Sequence, residues 1–324
     1  MKTKNNIWKK LKSELPEVKQ NILLAPFTTY KIGGEAKYFF VAKTKEDLKK
    51  ALVVCSKLKI PVFVIGGGSN LLVSDKGFSG MIIKIAMNRK ELSGNIIYCE
   101  AGVALANLTG LCLEHSLAGF EWSAGIPGTV GGAIYGNAQA FGTKISQAIK
   151  EVEYFDIKTG KLKTATREQC KFTLKNSIFK RNKNFIIISA IFELKEGDKK
   201  LIKEKIKEFI DYRIKGHPIE FPSAGSVFVN LEKPITNKKL LAKYPELNNM
   251  NEKGIIPSGF LIQSCGLKGK KIGNAQISEK HANFIVNLGG ARAKDVLELI
   301  KLAKEKVYKE FRIKLETEIQ LIGF

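Results

Sequence analysis

Two glycine-rich segments contain the residues of this sequence best suited to binding a ligand. The first, VFVIGGGSN, runs from an apolar stretch into Gly66, Gly67 and Gly68, followed by Ser69 and Asn70. Glycine costs a regular element about 0.5–1 kcal/mol per position relative to alanine, but it lets the backbone approach a ligand closely. Backbone amides in such a turn bind anions. The segment therefore predicts an anion-binding turn.

The second segment, AGIPGTVGGAIYGNAQA, has the spacing G-x-x-G-x-x-G-G around a proline. The first segment lacks the G-x-G-x-x-G pattern of a Rossmann fold, because Leu71 stands in the place of the third glycine, and no P-loop pattern occurs. Tight structural turns and a pyrophosphate-bearing cofactor both fit the two segments, and their pairing favours the cofactor. The candidate binding residues in the second segment are Gly125, Gly128, Gly131, Gly132 and Asn137.

The charge of the chain raises the question of nucleic acid. With 54 Lys and Arg against 31 Asp and Glu, the formal net charge is +23, and dense cations favour phosphate binding. The lysines, however, are spread over nearly every segment, without a helix-turn-helix, zinc-finger or RNA-binding signature. We expect a lysine-rich solvated surface that attracts small anions, and no nucleic-acid partner.

The cysteines and the start of the chain bear on location. Five scattered cysteines without a C-x-x-C pair indicate free thiols in a reducing compartment and no metal site. The first 20 residues are basic but lack a signal-peptide apolar core, and no run of about 18 apolar residues occurs. We expect a cytoplasmic protein without membrane insertion.

An αβ unit leads into the first glycine segment. Residues 5–20 have the apolar spacing of an amphipathic helix, which Pro16 closes. AKYFFVAK follows as a strand, and a helix begins after Thr44, with Asp47 placed for an N-cap. PVFVI is then a buried strand that ends at the glycines.

The residue pattern of the rest of the chain changes twice, near residues 72 and 198. Residues 72–198 are rich in apolar and alternating strand patterns with Gly, Asn and Asp turns. The lysine-rich helix DKKLIKEKIKEFIDYRIK follows, with an expected buried stripe of Ile202, Ile206, Phe209 and Ile210. An α+β region completes the chain and closes with the strand IKLETEIQLIG. The predicted domains are residues 1–66, 67–197 and 198–324.

Five ordered motifs carry a family resemblance: TTYKIGGEAKYF, IGGGSNLLVSDKGFSGMIIK, AGIPGTVGGAIYGNAQAFG, PSAGSVF and GLKGKKIGNAQISEKHANFIVN. They resemble the UDP-N-acetylenolpyruvoylglucosamine reductases (MurB), flavoenzymes of the synthesis of peptidoglycan precursors for the cell wall. The resemblance runs from about residue 21 to the end. The form without the extra tyrosine-bearing insertion is the better match, because the run from Asn230 to Gly259 is short.

The resemblance implies an α+β fold: an FAD-binding fold of the vanillyl-alcohol-oxidase (PCMH) type in two subdomains (residues 1–66 and 67–197), plus a C-terminal α+β substrate-binding domain (residues 198–324). It also implies that residues 66–70 and 125–137 bind FAD non-covalently and that NADPH is the reductant. The implied substrate is a UDP-sugar nucleotide, reduced to UDP-N-acetylmuramate. We further expect a monomer.

The implied reaction needs three kinds of group. Hydride delivered to the β-carbon of the enolpyruvyl ether builds enolate-like charge, and the α-carbon then needs a proton, so the site needs a cation, a hydrogen-bonding acid and a proton donor. By resemblance, Ser226 in SAGSVF is the proton donor and Glu318 in LETEIQLIG is the catalytic glutamate. From the residues alone, Glu316 is equally placed, because alternate strand residues share one face.

The cation departs from the family pattern. The family has a Tyr-Arg-x-Ser stretch, and CKFTLKNSIFK places Leu174 and Lys175 there. Lysine keeps the charge but loses the planar guanidinium fork. We assign the role to Lys175, with Arg213 as the substitute. The resemblance also implies substrate or cofactor contacts for Arg213, Asn230, Lys268 and His281.

Two other functions compete with this assignment. An FAD-dependent oxidase of an alcohol or sugar would share the fold, but no histidine or cysteine flavin-attachment motif is evident and SAGSVF argues against it. A nucleic-acid-binding protein rests on charge alone. His115 and His217 have no motif support, and we expect them to be solvent-facing or packing residues.

Overall fold

A computed structural model describes residues 2–324 of the chain, with side chains from Ile7 onward. Met1, the first residue of the expected FAD-binding subdomain 1, lies outside the described residues. The α-helices are α1 (Lys2–Glu14), α2 (Lys45–Lys57), α3 (Leu105–Glu114), α4 (Val130–Tyr135), α5 (Ile178–Arg181), α6 (Lys199–Gly216), α7 (Lys238–Lys243), α8 (Glu246–Glu252), α9 (Ser258–Ser264) and α10 (Ala293–Phe311). The strands are β1 (Lys19–Leu23), β2 (Glu35–Ala42), β3 (Val62–Ile65), β4 (Leu71–Val73), β5 (Phe78–Ile85), β6 (Lys90–Ser93), β7 (Ile96–Glu100), β8 (Leu117–Ala118), β9 (Gln139–Ala140), β10 (Thr143–Lys144), β11 (Ile149–Asp156), β12 (Lys161–Thr166), β13 (Phe185–Glu193), β14 (Lys195–Glu196), β15 (Lys271–Ile272), β16 (Ala275–Ile277), β17 (Ile285–Asn287) and β18 (Gln320–Ile322).

The first helices follow their local signals. Thr44 caps α2: its Oγ1 accepts a hydrogen bond from the Asp47 N–H at 3.0 Å, and the Asp47 carboxylate accepts one from the Thr44 N–H at 3.0 Å. This reciprocal pair satisfies two amide donors at the start of a helix, and it confirms the predicted start. The first helix is shorter than the predicted 5–20, because α1 ends at Glu14, ahead of Pro16, and residues 19–23 form β1 instead.

The chain divides into two compact units. Unit 1 comprises the residues up to Leu23, Glu35–Gly68 and Phe78–Arg213, and unit 2 comprises Leu24–Gly34, Ser69–Gly77 and Ile214–Phe324. The predicted division of residues 1–197 into two subdomains, with a third domain from 198, stays a prediction.

Unit 1 contains two sheets. In the four-stranded sheet β1-β2-β5-β3, the strands β2, β5 and β3 are parallel and β1 is antiparallel to β2. The five-stranded sheet β12-β11-β13-β7-β6 is antiparallel throughout. A continuous core of buried side chains, including Trp122 and Phe155, joins the residues of this unit. The first glycine segment begins directly after β3 of this unit. The second glycine segment leads into α4.

Unit 2 is built around α10, which packs on β15 and β16 of the three-stranded antiparallel sheet β15-β16-β17. The start of α10 is capped from far along the chain: the Asp75 carboxylate accepts hydrogen bonds from the Ala293 N–H (2.8 Å) and the Lys294 N–H (3.1 Å). Only residues 320–322 of the expected closing strand pair in a ladder, parallel to β4. This distant cap and this parallel pairing fix residues 69–77 within unit 2.

The predicted buried stripe of α6 is confirmed in part: Ile206 and Phe209 are half-buried rather than buried, and Ile210 is wrong. Ile202 is buried, whereas Ile210 is 37% exposed. Phe209 is half-buried because its ring stacks on Phe141, with the ring centroids 4.0 Å apart. The mixed helices and mainly antiparallel sheets of the two units confirm the α+β class.

The cysteines are free thiols, as predicted. Four of them are buried, and burial raises the pKa of each of these four to about 12. A thiol with such a raised pKa is a poor nucleophile at neutral pH. None of the helices within residues 2–324 has the length and apolar character needed to span a bilayer.

Candidate active site

The two glycine segments touch each other inside unit 1. A Cβ on Gly67 would lie 3.1 Å from the Gly128 Cα, and a Cβ on Gly66 would collide with the Thr129 hydroxyl. A side chain at either position would therefore require the second segment to shift. Gly68 (φ +67°) also adopts a left-handed conformation that favours glycine.

The glycines of the second segment have different physical reasons. Gly125 (φ +75°) and Gly128 (φ +136°) have backbone angles that L side chains rarely adopt. A Cβ on Gly131 would lie 2.8 Å from the Ala101 Cβ, so packing inside the protein already requires a glycine there. A Cβ on Gly132 would meet only the Thr129 Oγ1, at 3.6 Å, which is an ordinary contact. Gly132 is thus the glycine of α4 that the protein itself does not demand.

This difference gives a test of the cofactor assignment. We expect Gly132→Ala to fold at least as stably as the natural chain, because alanine is favoured over glycine in a helix by up to about 1 kcal/mol, and to lose FAD if the cofactor approaches this backbone. Gly131→Ala should destabilise the apoprotein by packing, and Ala101→Gly should restore it. Thermal denaturation and bound-flavin absorbance measure the two effects. Full FAD retention by Gly132→Ala would remove Gly132 from the binding surface.

Asn137 supplies the second feature that suits a cofactor. It is 1% exposed, and its Nδ2 donates to the Thr173 carbonyl at 2.9 Å. Among the described residues, no group donates a hydrogen bond to its buried Oδ1. A buried acceptor without a donor costs about 1–3 kcal/mol, so this oxygen is suited to a ligand N–H or O–H. The glycine contact and the Asn137 acceptor together fit a bound dinucleotide with hydrogen-bond donors.

Lys175 lies in a two-residue turn of unit 1. The backbones of Thr173 and Asn176 pair on either side of it, with N···O distances of 3.1 and 3.2 Å. Lys175 has φ +52°, and its carbonyl accepts a hydrogen bond from the Lys180 ammonium at 2.9 Å. Because Asn137 holds the Thr173 carbonyl, the turn that carries Lys175 is attached to the second glycine segment. The side chain of Lys175 is half-buried.

Arg213 has a role that sequence reasoning missed. Its Nε donates to the Ala124 carbonyl at 2.9 Å, its Nη2 donates to the Trp122 carbonyl at 3.2 Å, and the guanidinium lies over the Phe141 ring at 5.2 Å. Burial lowers the pKa of Arg213. The arginine thus fixes the backbone that enters the second glycine segment. No local sequence signal announces this, because its partners lie about 90 positions earlier.

Ser226 lies on a short extended segment of unit 2 with partners on both edges. On one edge Ser226 pairs with Phe284, and on the other Phe228 pairs with Thr317. The Glu318 N–H donates to the Val227 carbonyl at 2.8 Å. The structure therefore brings Ser226 and Glu318 onto adjacent extended segments of one unit, which the sequence could not establish.

Exposure separates the two glutamates that the sequence left equivalent. The Glu316 side chain is exposed, whereas Glu318 is half-buried. The backbone of Glu318 is also held by Asn70, whose Nδ2 donates to the Glu318 carbonyl at 3.3 Å. Asn70 in turn accepts a hydrogen bond from the Gln320 N–H at 2.9 Å. Asn70 and the preceding Ser69 belong to unit 2, whereas residues 66–68 belong to unit 1.

The proposed substrate-binding residues of unit 2 have distinct environments. The Asn230 Oδ1 accepts from the Ser258 N–H at 3.1 Å, so this oxygen caps α9. Lys268 is exposed. Burial lowers the pKa of His281 and so favours the neutral imidazole; a backbone hydrogen bond opposes this shift, and the positive charge of Lys268 adds to it. The His281 Nδ1 accepts from the Asn283 N–H at 3.2 Å, which leaves the proton on Nε2.

The remaining histidines, His115 and His217, are solvent-facing and packing residues, as expected. His115 is exposed at the end of α3. His217 packs against Phe284, with the ring centroids 5.0 Å apart. The part of the chain that the structure describes has no cluster of three or more His, Cys, Asp or Glu side chains suited to a metal ion.

Comparison with known proteins decides the family. A family model of an FAD binding domain matches residues 36–166, and a model of the UDP-N-acetylenolpyruvoylglucosamine reductase C-terminal domain matches residues 217–322. The chain is 40% identical to the UDP-N-acetylenolpyruvoylglucosamine reductase of Carboxydothermus hydrogenoformans over 321 residues, which is 97% of this chain and 98% of that protein. This chain belongs to the UDP-N-acetylenolpyruvoylglucosamine reductase family.

Two further relatives support the assignment. The reductase of Halalkalibacterium halodurans is 40% identical over 96% of each chain. The crystal structure of the Thermus caldophilus reductase is 33% identical and superimposes with a TM-score of 0.76 over 95% of this chain and 99% of that one. The FAD-binding fold and the C-terminal reductase domain that the motifs implied are therefore confirmed for this member of the reductase family.

Proposed function

We propose that Ser226, Glu318 and Lys175 carry the chemistry of this chain. The protein is an FAD-dependent oxidoreductase that reduces UDP-N-acetylenolpyruvoylglucosamine to UDP-N-acetylmuramate with NADPH, a step of peptidoglycan synthesis. The single observation that supports the residue assignment best is the adjacency of Ser226 and Glu318: the Glu318 N–H bonds the carbonyl of Val227, the residue next to Ser226.

The proposed roles follow the movement of charge. FAD, when bound, supplies the hydride that it has received from NADPH. As hydride reaches the β-carbon of the enolpyruvyl group, the π electrons move onto the α-carbon and its carboxylate, and the Lys175 ammonium opposes that charge. Glu318 serves as the hydrogen-bonding acid. The Ser226 Oγ–H gives its proton to the α-carbon, and the serine oxygen regains a proton from water.

The residues proposed to hold FAD are the two glycine segments and Asn137. The glycine amides suit the pyrophosphate, and the buried Asn137 Oδ1 suits a donor on the cofactor. We assign to Arg213 a positioning role toward the second segment, because two of its nitrogens already bond the Trp122 and Ala124 carbonyls. Substrate contact remains proposed for Asn230 through its amide nitrogen, and for Lys268 and His281.

The competing functions are not favoured. The reductase relatives match nearly the whole chain, including its C-terminal domain. An oxidase of the same fold would not account for that domain. The charge of +23 suits anionic substrates such as a sugar nucleotide and a dinucleotide, so it needs no nucleic acid.

Separating the two half-reactions tests the function. Anaerobic NADPH should bleach the flavin absorbance of the purified protein, and UDP-N-acetylenolpyruvoylglucosamine should then restore it with formation of UDP-N-acetylmuramate. A sugar nucleotide without the enolpyruvyl group is the control and should leave the flavin reduced. If the aldehyde or ketone of a simple alcohol reoxidised the flavin and the enolpyruvyl substrate did not, the alternative function as an alcohol or sugar oxidase would be favoured.

Two broader expectations stay proposals. We propose a cytoplasmic location, supported by the free cysteines, which suit a reducing compartment; cell fractionation would test it. We also propose that the protein is a monomer without a nucleic-acid partner. Light scattering that gave twice the chain mass, or co-purifying nucleic acid, would contradict this.

A further inference from the structure

Asn283 completes the hydrogen bonding of the segment that carries Ser226. Its Oδ1 accepts from the Phe228 N–H at 2.9 Å, and its Nδ2 donates to the Phe228 carbonyl at 2.8 Å. Its backbone carbonyl accepts from the Val227 N–H at 2.8 Å. Asn283 is 2% exposed. One buried residue therefore holds two successive residues after Ser226.

The backbone pairing around Phe228 explains why its N–H and C=O need a side-chain partner. On its other edge, residues 227–229 pair with residues 316–318 through backbone bonds from Val229 to Glu316 and from Glu318 to Val227. The Phe228 N–H and C=O point the opposite way, toward residue 283. A carboxamide has the same donor and acceptor as a peptide group. The Asn283 side chain thus takes the place of a backbone partner in this ladder.

We propose that Asn283 is a positioning residue for Ser226, setting the distance of its hydroxyl from Glu318 and from the substrate's α-carbon. This rests on the proposed role of Ser226 as proton donor. Asn283 also donates its N–H to the His281 Nδ1 at 3.2 Å, so the same residue orients a proposed substrate contact. Misplacing a reacting group by about 1 Å costs about a hundredfold in rate.

The chain contains a matched control. Asn251 makes the same pair of hydrogen bonds with the backbone of Ile235: its Oδ1 accepts from the N–H at 2.9 Å, and its Nδ2 donates to the carbonyl at 2.8 Å. It belongs to the same unit as Asn283 but is bonded to neither Ser226 nor its neighbours. A purely structural role predicts lower stability in both sets of variants, with no selective slowing of proton transfer in the Asn283 set.

The experiment compares Asn283→Ala and Asn283→Asp with the same changes at Asn251, in the FAD-loaded enzyme. Asn283→Asp keeps the acceptor for the Phe228 N–H and loses the donor. We expect NADPH to reduce the flavin normally in all four variants. Reoxidation at saturating substrate should slow about 10–100-fold in the Asn283 variants only, with half-saturation changed less than about threefold. The solvent deuterium isotope effect on reoxidation should rise in these two variants, because proton transfer becomes the slow step.

A measurement without turnover accompanies the kinetics. In Asn283→Ala the Phe228 amide should lose hydrogen-exchange protection, while the Val229 amide, bonded to the Glu316 carbonyl at 2.9 Å, keeps it. Reoxidation of the Asn283 variants at the rate of the Asn251 variants would overturn the proposal. Misfolding of both Asn283 variants, with the Asn251 variants folded, would also overturn it and assign Asn283 to stability.

The failure of the underlying assignment has a different signature. If Ser226→Ala reoxidises at the natural rate, Ser226 is not the donor, and the proposed function of that residue fails. If Ser226→Ala is slow while the Asn283 variants match the Asn251 variants, only the positioning role fails.

Discussion

Ser226→Ala should reoxidise its flavin with the enolpyruvyl substrate about 10²–10⁴-fold more slowly than the natural enzyme, while NADPH bleaches it at an unchanged rate. Loss of a positioned general acid has this magnitude. The first half-reaction needs no proton at the substrate's α-carbon, so it should be spared. Stopped-flow absorbance of the flavin follows both steps separately.

Ser223 is the matched control for this prediction. It lies three residues before Ser226, where its Oγ accepts from the Gly225 N–H at 3.5 Å. A lost hydrogen bond of this kind costs about 0.5–1.5 kcal/mol of stability, so Ser223→Ala should be slightly less stable and fully active. Natural-rate reoxidation by Ser226→Ala would remove the serine from the proton transfer. Equal slowing by both variants would point to the conformation of residues 223–226 rather than to the Ser226 hydroxyl.

Lys175→Asn should lower the rate of reoxidation about 10²–10³-fold, because that is the usual effect of removing one group that stabilises developing negative charge. Asparagine is the informative replacement, since Lys175 has φ +52° and asparagine tolerates this left-handed conformation. The turn should therefore persist without the charge. Bound flavin and thermal stability should stay near their natural values.

Lys175→Arg is the partner variant. It restores the charge and adds the planar guanidinium fork of the family pattern, so its reoxidation should equal or exceed that of the natural enzyme. If Lys175→Asn turns over normally, another cation stabilises the developing charge, and Arg213 becomes the next candidate. Arg213 would then have to act with the groups left after its bonds to the Trp122 and Ala124 carbonyls.

Short sequence signals correctly predicted the features that depend on neighbouring residues. The Thr44 cap and the free thiols follow from residue types and short spacings, and the structure confirms them. The α+β class, which the family resemblance implied, is confirmed as well. The five ordered motifs were specific enough to indicate the reductase family, because glycine turns and polar clusters at fixed spacing are rare by chance. The comparisons confirm that family.

Local patterns misjudged the elements whose partners lie far along the chain. The stripe of α6 has helical spacing, yet Ile210 is exposed, because periodicity shows that a face is apolar and not what covers it. The predicted closing strand IKLETEIQLIG is longer than the observed β18, because a strand extends only as far as its partner, here β4, continues beside it.

Tertiary structure alone distinguished among residues that look alike in sequence. Four glycines of the second segment matched one motif, but Gly131 is required by its contact with Ala101, whereas a side chain at Gly132 would make only an ordinary contact. Glu316 and Glu318 share a spacing, but their exposure differs. Arg213 and Asn283 act through backbone groups about 90 and 55 positions away. The sequence by itself determined the family and the kinds of chemical group available. Which groups are paired, buried or left with an unused hydrogen-bonding atom depends on contacts between distant segments, and only the folded chain creates those contacts.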